Sequence, residues 1–177
     1  DSEPVPLKDI SVEEDCRITV GSPEVERVLG GGIVPGSMIL LAGEPGIGKS
    51  TLALQIPLRS RGLHTLYVSG EESPRQIKLR SMRLLRKEEG DTEEGCTVLG
   101  ETVVENIIRY ARECSPDLLV VDSIQTVYSE NIDSAASSVS QIRECAAALL
   151  RLAKESGIPV ILIGHITKDG SIAGPKV

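Results

Sequence analysis

Residues Gly43-Glu44-Pro45-Gly46-Ile47-Gly48-Lys49-Ser50 follow the pattern G-x-x-x-x-G-K-[ST], with Thr51 next in line. No other feature of the chain restricts its fold as much. A loop of this kind curls around phosphate with its backbone N–H groups turned inward, and glycine permits the dihedrals that this requires. The pattern needs an element on each side. Met38 to Ala42 is an apolar run between Gly36 and Gly43, which reads as a buried strand, and Ser50 to Ser60 reads as a helix. That helix would aim its positive N-terminus at the anion. Lys49 would reach the β- and γ-phosphates, and the Ser50 hydroxyl would ligate Mg²⁺. A nucleotide with Mg²⁺ is therefore the expected ligand. Pro57 removes a backbone donor from the helix, so a kink or an early stop is expected there.

The rest of the chain repeats the strand–helix alternation. His64 to Val68 reads as a strand. Ser73-Pro74-Arg75-Gln76 is a capping box with proline at the first helical position, opening a helix over 75–87. Thr97 to Leu99 is strand-like, and a helix follows through Val103, Ile107, Ile108 and Ala111. Leu118-Leu119-Val120-Val121 reads as a central strand within 117–122. A polar loop covers 123–136. A long helix runs from about Ser138 to Glu155 with Val139, Ile142, Ala146, Leu149, Leu150 and Ala153 on its apolar face, and Pro159 to Gly164 is the last strand. Near the start, Arg17 to Val20 reads as a short strand and Ser22-Pro23-Glu24 as a helix start. Such alternation means a mainly parallel sheet flanked by helices, an α/β core. Trp and Phe are absent and Tyr occurs 3 times in 177 residues. The core must then be aliphatic, which suits a buried parallel sheet.

Composition also excludes some functions. The net charge of −7 is the opposite of a basic nucleic-acid coat or a polybasic membrane anchor. The shortage of aromatics argues against a base-stacking platform. No apolar run is long enough to span a bilayer. The chain begins with Asp1 rather than Met, as a piece of a longer protein would. Residues 1–15 are acidic and read as a linker or exposed arm, and 16–177 as one domain. Cys16, Cys96, Cys114 and Cys145 contain no C-x-x-C pair and read as reduced, packed thiols.

Four further sites carry chemistry. Asp122 ends a buried strand, where a carboxylate can hold Mg²⁺ through water. Glu71 and Glu72 follow the second strand, where a carboxylate can orient and deprotonate an attacking water. The alternative is that they simply precede a helix N-terminus, which favours acids. His165 follows the last strand and could sense a γ-phosphate; it could equally be an ordinary polar residue at a strand end. Lys168 and Lys176 lie in a Gly-rich tail after His165 that could couple nucleotide state to a polymer ligand. The basic helix 75–87 is answered by the acidic 88–94 stretch and reads as a solvated face with local ion pairs.

The segments R-V-L-G-G-G-I-V-P-G-S (27–37), G-E-P-G-I-G-K-S-T (43–51), Y-V-S-G-E-E-S (67–73), V-V-D-S-I-Q-T (120–126) and G-H-I-T-K-D-G-S-I-A-G-P-K-V (164–177) occur in order. Together they resemble the bacterial-type RadA (Sms) family of DNA repair proteins. The resemblance implies a RecA-like P-loop ATPase core that forms hexameric rings on single-stranded DNA and drives branch migration beside a RecA-type recombinase. The compartment implied is the bacterial cytoplasm, or a plastid or mitochondrial matrix in a plant. Carried over by motif, Gly43 through Thr51 bind the nucleotide, Ser50 and Asp122 support the metal, and Glu71 is the catalytic carboxylate with Glu72 beside it. His165 reads the γ-phosphate, and the loops 129–138 and 166–177, with Lys168 and Lys176, face DNA. The family's zinc ribbon, its Lon-protease-like domain and its K-N-R-F-G motif have no counterpart in these residues, so weak hydrolysis is expected of this piece alone. A KaiC-like ATPase or autokinase, and a small-molecule phosphotransferase, are the competing readings of the P-loop.

Overall fold

The computed structural model describes residues 3–10, 26–27, 31–46, 48–85 and 91–166. The expected strand at 17–20, the helix start at 22–24, Cys16, Ile47, and the tail lysines Lys168 and Lys176 lie outside the described residues.

The described elements are β1 (Met38–Gly43), α1 (Lys49–Arg59), β2 (Thr65–Ser69), α2 (Pro74–Leu84), β3 (Cys96–Gly100), α3 (Val104–Cys114), β4 (Leu118–Asp122), α4 (Val139–Ser156) and β5 (Val160–His165). A short 3₁₀ turn at Leu7–Asp9 precedes them. The strands form one five-stranded sheet in the order β1-β5-β4-β2-β3. Every pairing is parallel, as the alternation of elements requires.

The two-residue period of the strands divides the core into two layers. Leu66, Val68, Leu119, Val121, Val160 and Leu162 face α3 and α4. Tyr67, Leu118, Val120, Ile161 and Ile163 face the other way, onto Leu54 and Leu58 of α1 and Ile77 of α2. Asp122 continues the second series, and it pairs with Ser69 of β2 and Ile163 of β5. The register therefore brings the carboxyl ends of β2, β4 and β5 together on the α1 side. In an open parallel sheet, ligands bind beyond the carboxyl ends of the strands, where the strand order reverses.

Several expectations need correction. α1 does not stop at Pro57, which is buried within the helix; the helix ends two residues later at Arg59. α2 is shorter than the 75–87 expected, with Leu85 as its C-cap. β5 extends to His165, which is thus its last residue rather than a residue beyond it. Val139, placed on the apolar face of α4, is 66% exposed, while Cys145 and Leu152 are buried there instead. The 123–136 segment is not simply polar and solvated, since Ser123, Ile124, Val127 and Ser129 are buried. Cys114 is exposed rather than packed, whereas Cys145 is buried.

The two capping-box patterns have different outcomes. Ser73 and Gln76 bond reciprocally at the start of α2. Ser138 accepts from the Gln141 backbone, but the Gln141 side chain turns away. Its Oε1 accepts from the Ser129 N–H at 2.8 Å, and its Nε2 donates to the Ser129, Ile132 and Ser134 carbonyls. A buried amide thus organises the loop that precedes its own helix.

Candidate functional site

The loop between β1 and α1 has the conformation its glycines were expected to permit. Gly46 and Gly48 adopt φ of 84° and 77°, the left-handed region, and a Cβ at either would meet nothing within 4 Å. Glycine is required there by backbone conformation, not by crowding. Gly48 is the N-cap of α1, and no side chain bonds the cap. The first N–H groups of the helix are therefore left to an external acceptor, which is the arrangement that binds anions. Lys49 is buried, and its Nζ donates to the Gly43 and Glu44 carbonyls at 2.9 and 2.6 Å. The ammonium is held across the mouth of the loop. Gly46, Gly48, Lys49, Ser50, Thr51, Arg80 and His165 line a pocket of about 230 Å³. A larger hollow of about 400 Å³ lies before the amino-terminal ends of β4 and β5, lined by Pro116, Asp117, Ile158 and Pro159 among others. It is at the wrong end of the sheet for the loop's chemistry.

Asp122 is 1% exposed. The Tyr67 hydroxyl donates to its Oδ2 at 3.1 Å, and its Oδ1 is buried without a partner. Burial, reinforced by the Asp122 charge, pushes the Tyr67 hydroxyl far above its ordinary range, so it remains a donor. The peptide after Asp122 is cis.

Glu71 stands beside Asp122. Its Oε1 accepts from the Ser123 hydroxyl at 2.9 Å and lies 3.0 Å from His165 Nε2. One ligand atom each from Glu71, Asp122 and His165 lie within 4.8 Å of one another. These three sequence-derived residues come from the ends of three strands and converge. Glu72 does not join them: its Oε1 pairs with Arg80 Nη2 at 2.7 Å.

Three residues of the site escaped the sequence reading. Tyr67 looked like core. Arg80 was counted in a solvated basic face, yet Ile77, Arg80, Ser81 and Leu84 occupy one helical stripe, with Ile77 and Ser81 buried. A cation on the inward stripe of an amphipathic helix was the available signal. Gln125 lay in the presumed polar loop. Its Oε1 accepts from the His165 N–H at 3.2 Å and its Nε2 donates to the His165 carbonyl at 3.1 Å. β4 pairs with β5 only as far as Asp122 opposite Ile163. Beyond the bond from the Ile124 N–H to the Ile163 carbonyl, the Gln125 carboxamide supplies the next rung on this side, and together with the pairing of His165 with Gly43 of β1 it sets the position from which the imidazole reaches Glu71.

The donor set suits a phosphate-bound Mg²⁺. The hydroxyl of Ser50 and the orphaned, buried Asp122 Oδ1 are hard oxygen donors, and such an ion keeps several waters while using few protein ligands.

A family model described as an AAA domain matches residues 2–171. The chain belongs to this AAA-domain family. Its sequence is similar to curated DNA repair proteins RadA: 49% identical over 177 residues to that of Bacillus subtilis, covering 99% of this chain and 38% of the relative. With that of Escherichia coli the identity is 48% over 172 residues, covering 97% of this chain and 36% of the relative. The chain thus spans under two-fifths of the length of these relatives, as a RadA-type piece. A crystal structure of a KaiC-like protein from Pyrococcus horikoshii OT3 superposes with a TM-score of 0.64 at 24% identity, covering 89% of this chain and 74% of that one. This likeness shows the fold, a RecA-like α/β core. Among the described residues no helix is long and apolar enough to cross a membrane.

Proposed function

We propose that this chain is the ATP-hydrolysing core of a RadA-type DNA repair protein. The observation that carries the reading is the convergence of Glu71, Asp122 and His165 at the carboxyl ends of β2, β4 and β5, with His165 lining the same pocket as the glycine-rich loop. The AAA-domain match and the RadA relatives support it.

Gly43 to Thr51 bind the phosphates through backbone N–H groups and the N-terminus of α1. The Lys49 ammonium exchanges its two carbonyl partners for phosphate oxygens. Ser50 and Asp122 hold Mg²⁺, which when bound neutralises charge on the phosphates. Glu71 orients a water against the γ-phosphorus and takes its proton as the new P–O bond forms. The bond to the bridging oxygen breaks, and ADP and phosphate leave. Ser123 and His165 fix the Glu71 carboxylate through the two contacts to its Oε1. His165 ends β5 and sits one residue before the segment that contains Lys168 and Lys176. That adjacency supports coupling between nucleotide state and single-stranded DNA, with ring assembly, branch migration and cooperation with a RecA-type recombinase as properties of the longer protein. A bacterial cytoplasmic setting goes with the same reading.

The test is Glu71→Gln. Binding of Mg·ADP and of a non-hydrolysable ATP analogue should persist, while hydrolysis falls by about 10²–10⁴-fold, the usual range for a general base. Undiminished turnover would move the base elsewhere. Single-stranded DNA anisotropy across a salt series, with and without nucleotide, tests the DNA arm. Binding should depend on nucleotide and weaken steeply with salt.

A further inference from the structure

Arg75, Lys78, Arg80 and Arg83 are the cations of α2, and three of them behave as surface residues should. Arg75, Lys78 and Arg83 are exposed, and Lys78 pairs with Glu93 across to the β3 side. Arg80 differs. Only 16% of its side chain is exposed. Its Nε is buried without a hydrogen-bond partner, its Nη2 pairs with Glu72 at 2.7 Å, and the guanidinium interacts with the Tyr67 hydroxyl. Its side chain lines the same pocket as Gly46, Gly48, Lys49 and Ser50.

A buried guanidinium that keeps one N–H unpaired beside a pocket has donor capacity left for a ligand there. The pocket it borders is a phosphate cradle. A guanidinium presents its N–H groups as a planar fork that matches a phosphate oxyanion. Lys49 already supplies a point charge at the mouth of the loop. The second cation enters from α2, across the pocket, where an extended phosphate chain would pass.

We propose that Arg80 is a phosphate-binding residue of this pocket, contributed by the same chain, that engages the terminal phosphate of a nucleoside triphosphate. Glu72 pairs with the guanidinium at 2.7 Å, which gives the second carboxylate of the Glu71-Glu72 pair a role distinct from that of the first. The inference rests on the assignment of the glycine-rich loop as a nucleotide site. It predicts that the chain distinguishes triphosphate from diphosphate through α2.

The experiment is a calorimetric titration of the chain, and of its Arg80→Gln, Arg80→Lys and Glu72→Gln variants, with Mg·ADP and with a Mg-bound non-hydrolysable ATP analogue. Arg80→Gln should weaken the triphosphate by about tenfold or more, the scale of a lost charge-assisted contact, while ADP changes by less than about threefold. Arg80→Lys should fall between, because the charge remains and the fork is lost. Glu72→Gln should keep or tighten triphosphate binding, since it releases the guanidinium. Far-UV circular dichroism and the melting temperature identify any variant that fails to fold, and Glu72→Gln and Arg80→Lys then decide the matter. Equal losses for the two nucleotides, or none, with normal binding by the parent chain, would overturn the role of Arg80 and leave the nucleotide site standing. A parent chain that binds neither nucleotide would overturn both.

Discussion

Replacing Tyr67 with phenylalanine removes one oxygen atom from the inner face of β2 and leaves the ring where it is. Tyr67 is fully buried, so the ring packing on α1 and α2 survives the change. What is lost is the donor to Asp122 Oδ2 at 3.1 Å. The second acceptor near the hydroxyl, the Ser50 carbonyl at 3.5 Å, is at the limit of a hydrogen bond and contributes little. Asp122 Oδ1 already lacks a partner, so the variant carboxylate would have neither oxygen satisfied by the residues described. A hydrogen bond to a charged group contributes about 1.5–3 kcal/mol, and leaving its buried partner unsatisfied places the loss in the upper half of that range. Urea unfolding at neutral pH, with the slope compared between the two proteins, measures it directly. The expected loss is about 2–3 kcal/mol without a change in slope, and saturating Mg·ADP should recover part of it as the ion supplies Asp122 with new partners. A loss below about 0.5 kcal/mol would refute the argument, because Asp122 would then be satisfied by something other than Tyr67.

Gly70→Ala would place a methyl 2.8 Å from Thr126 Cβ and 3.1 Å from Thr102 Cγ2. Thr126 would have to give up its bonds to the Ser123 N–H and carbonyl, so the variant should lose about 2–4 kcal/mol and melt roughly 5–15 °C lower; melting within 2 °C of the parent, on the order of the smallest shift a 1 kcal/mol change gives, would contradict the geometry. Burial pushes the Cys96 thiol to about 11 and the Cys145 thiol to about 12, above the 9.0 of an unperturbed thiol. Raised folded values contribute stability below the unfolded value that disappears as pH rises, so urea midpoints should hold up to about pH 9 and fall progressively above it; a flat midpoint to about pH 11 would contradict the burial of both. Under native conditions a thiol reagent should modify exposed Cys114 well before Cys145.

Glycine spacing, an apolar run ending in aspartate and a carboxylate after a strand made the placement of Lys49, Ser50, Asp122 and Glu71 at the carboxyl ends of the strands legible, because strand and loop boundaries can be read from local pattern. The residues that hold them in position were not legible. Tyr67 reads as one more large residue in a buried strand, and only the register opposite Asp122 reveals what its hydroxyl does. Arg80 was hidden by the other cations of α2. The motifs Ser73–Gln76 and Ser138–Gln141 carry the same letters, yet only the first closes as a capping box. The Gln141 side chain is claimed by Ser129 and its neighbours, a tertiary competition that a local pattern does not contain. The 123–129 segment differs from the polar loop expected for a related reason: its Ser and Gln side chains bond partners distant in sequence, Ser123 to Glu71, Gln125 to the His165 backbone and Ser129 to Glu105.

The amide of Gln125 makes the last contact on the β4 side of β5 a detachable one. Backbone rungs cannot be released one at a time without unpairing main chains, and their number is set by strand length. A rung made by a side chain can swing away on its own rotamers while β4 and β5 remain paired from Asp122 inward. The backbone carbonyl of Gln125 is also held by the Ser137 hydroxyl at 3.0 Å, from the loop ahead of α4. The loop ahead of α4 is thereby linked through Gln125 to the backbone of His165, whose ring lies against Glu71. On that side β5 ends against a single side chain, while on the other its backbone stays fixed to β1, where Gly43 pairs with His165 and the Gly43 carbonyl accepts from the Ile166 N–H at 2.8 Å.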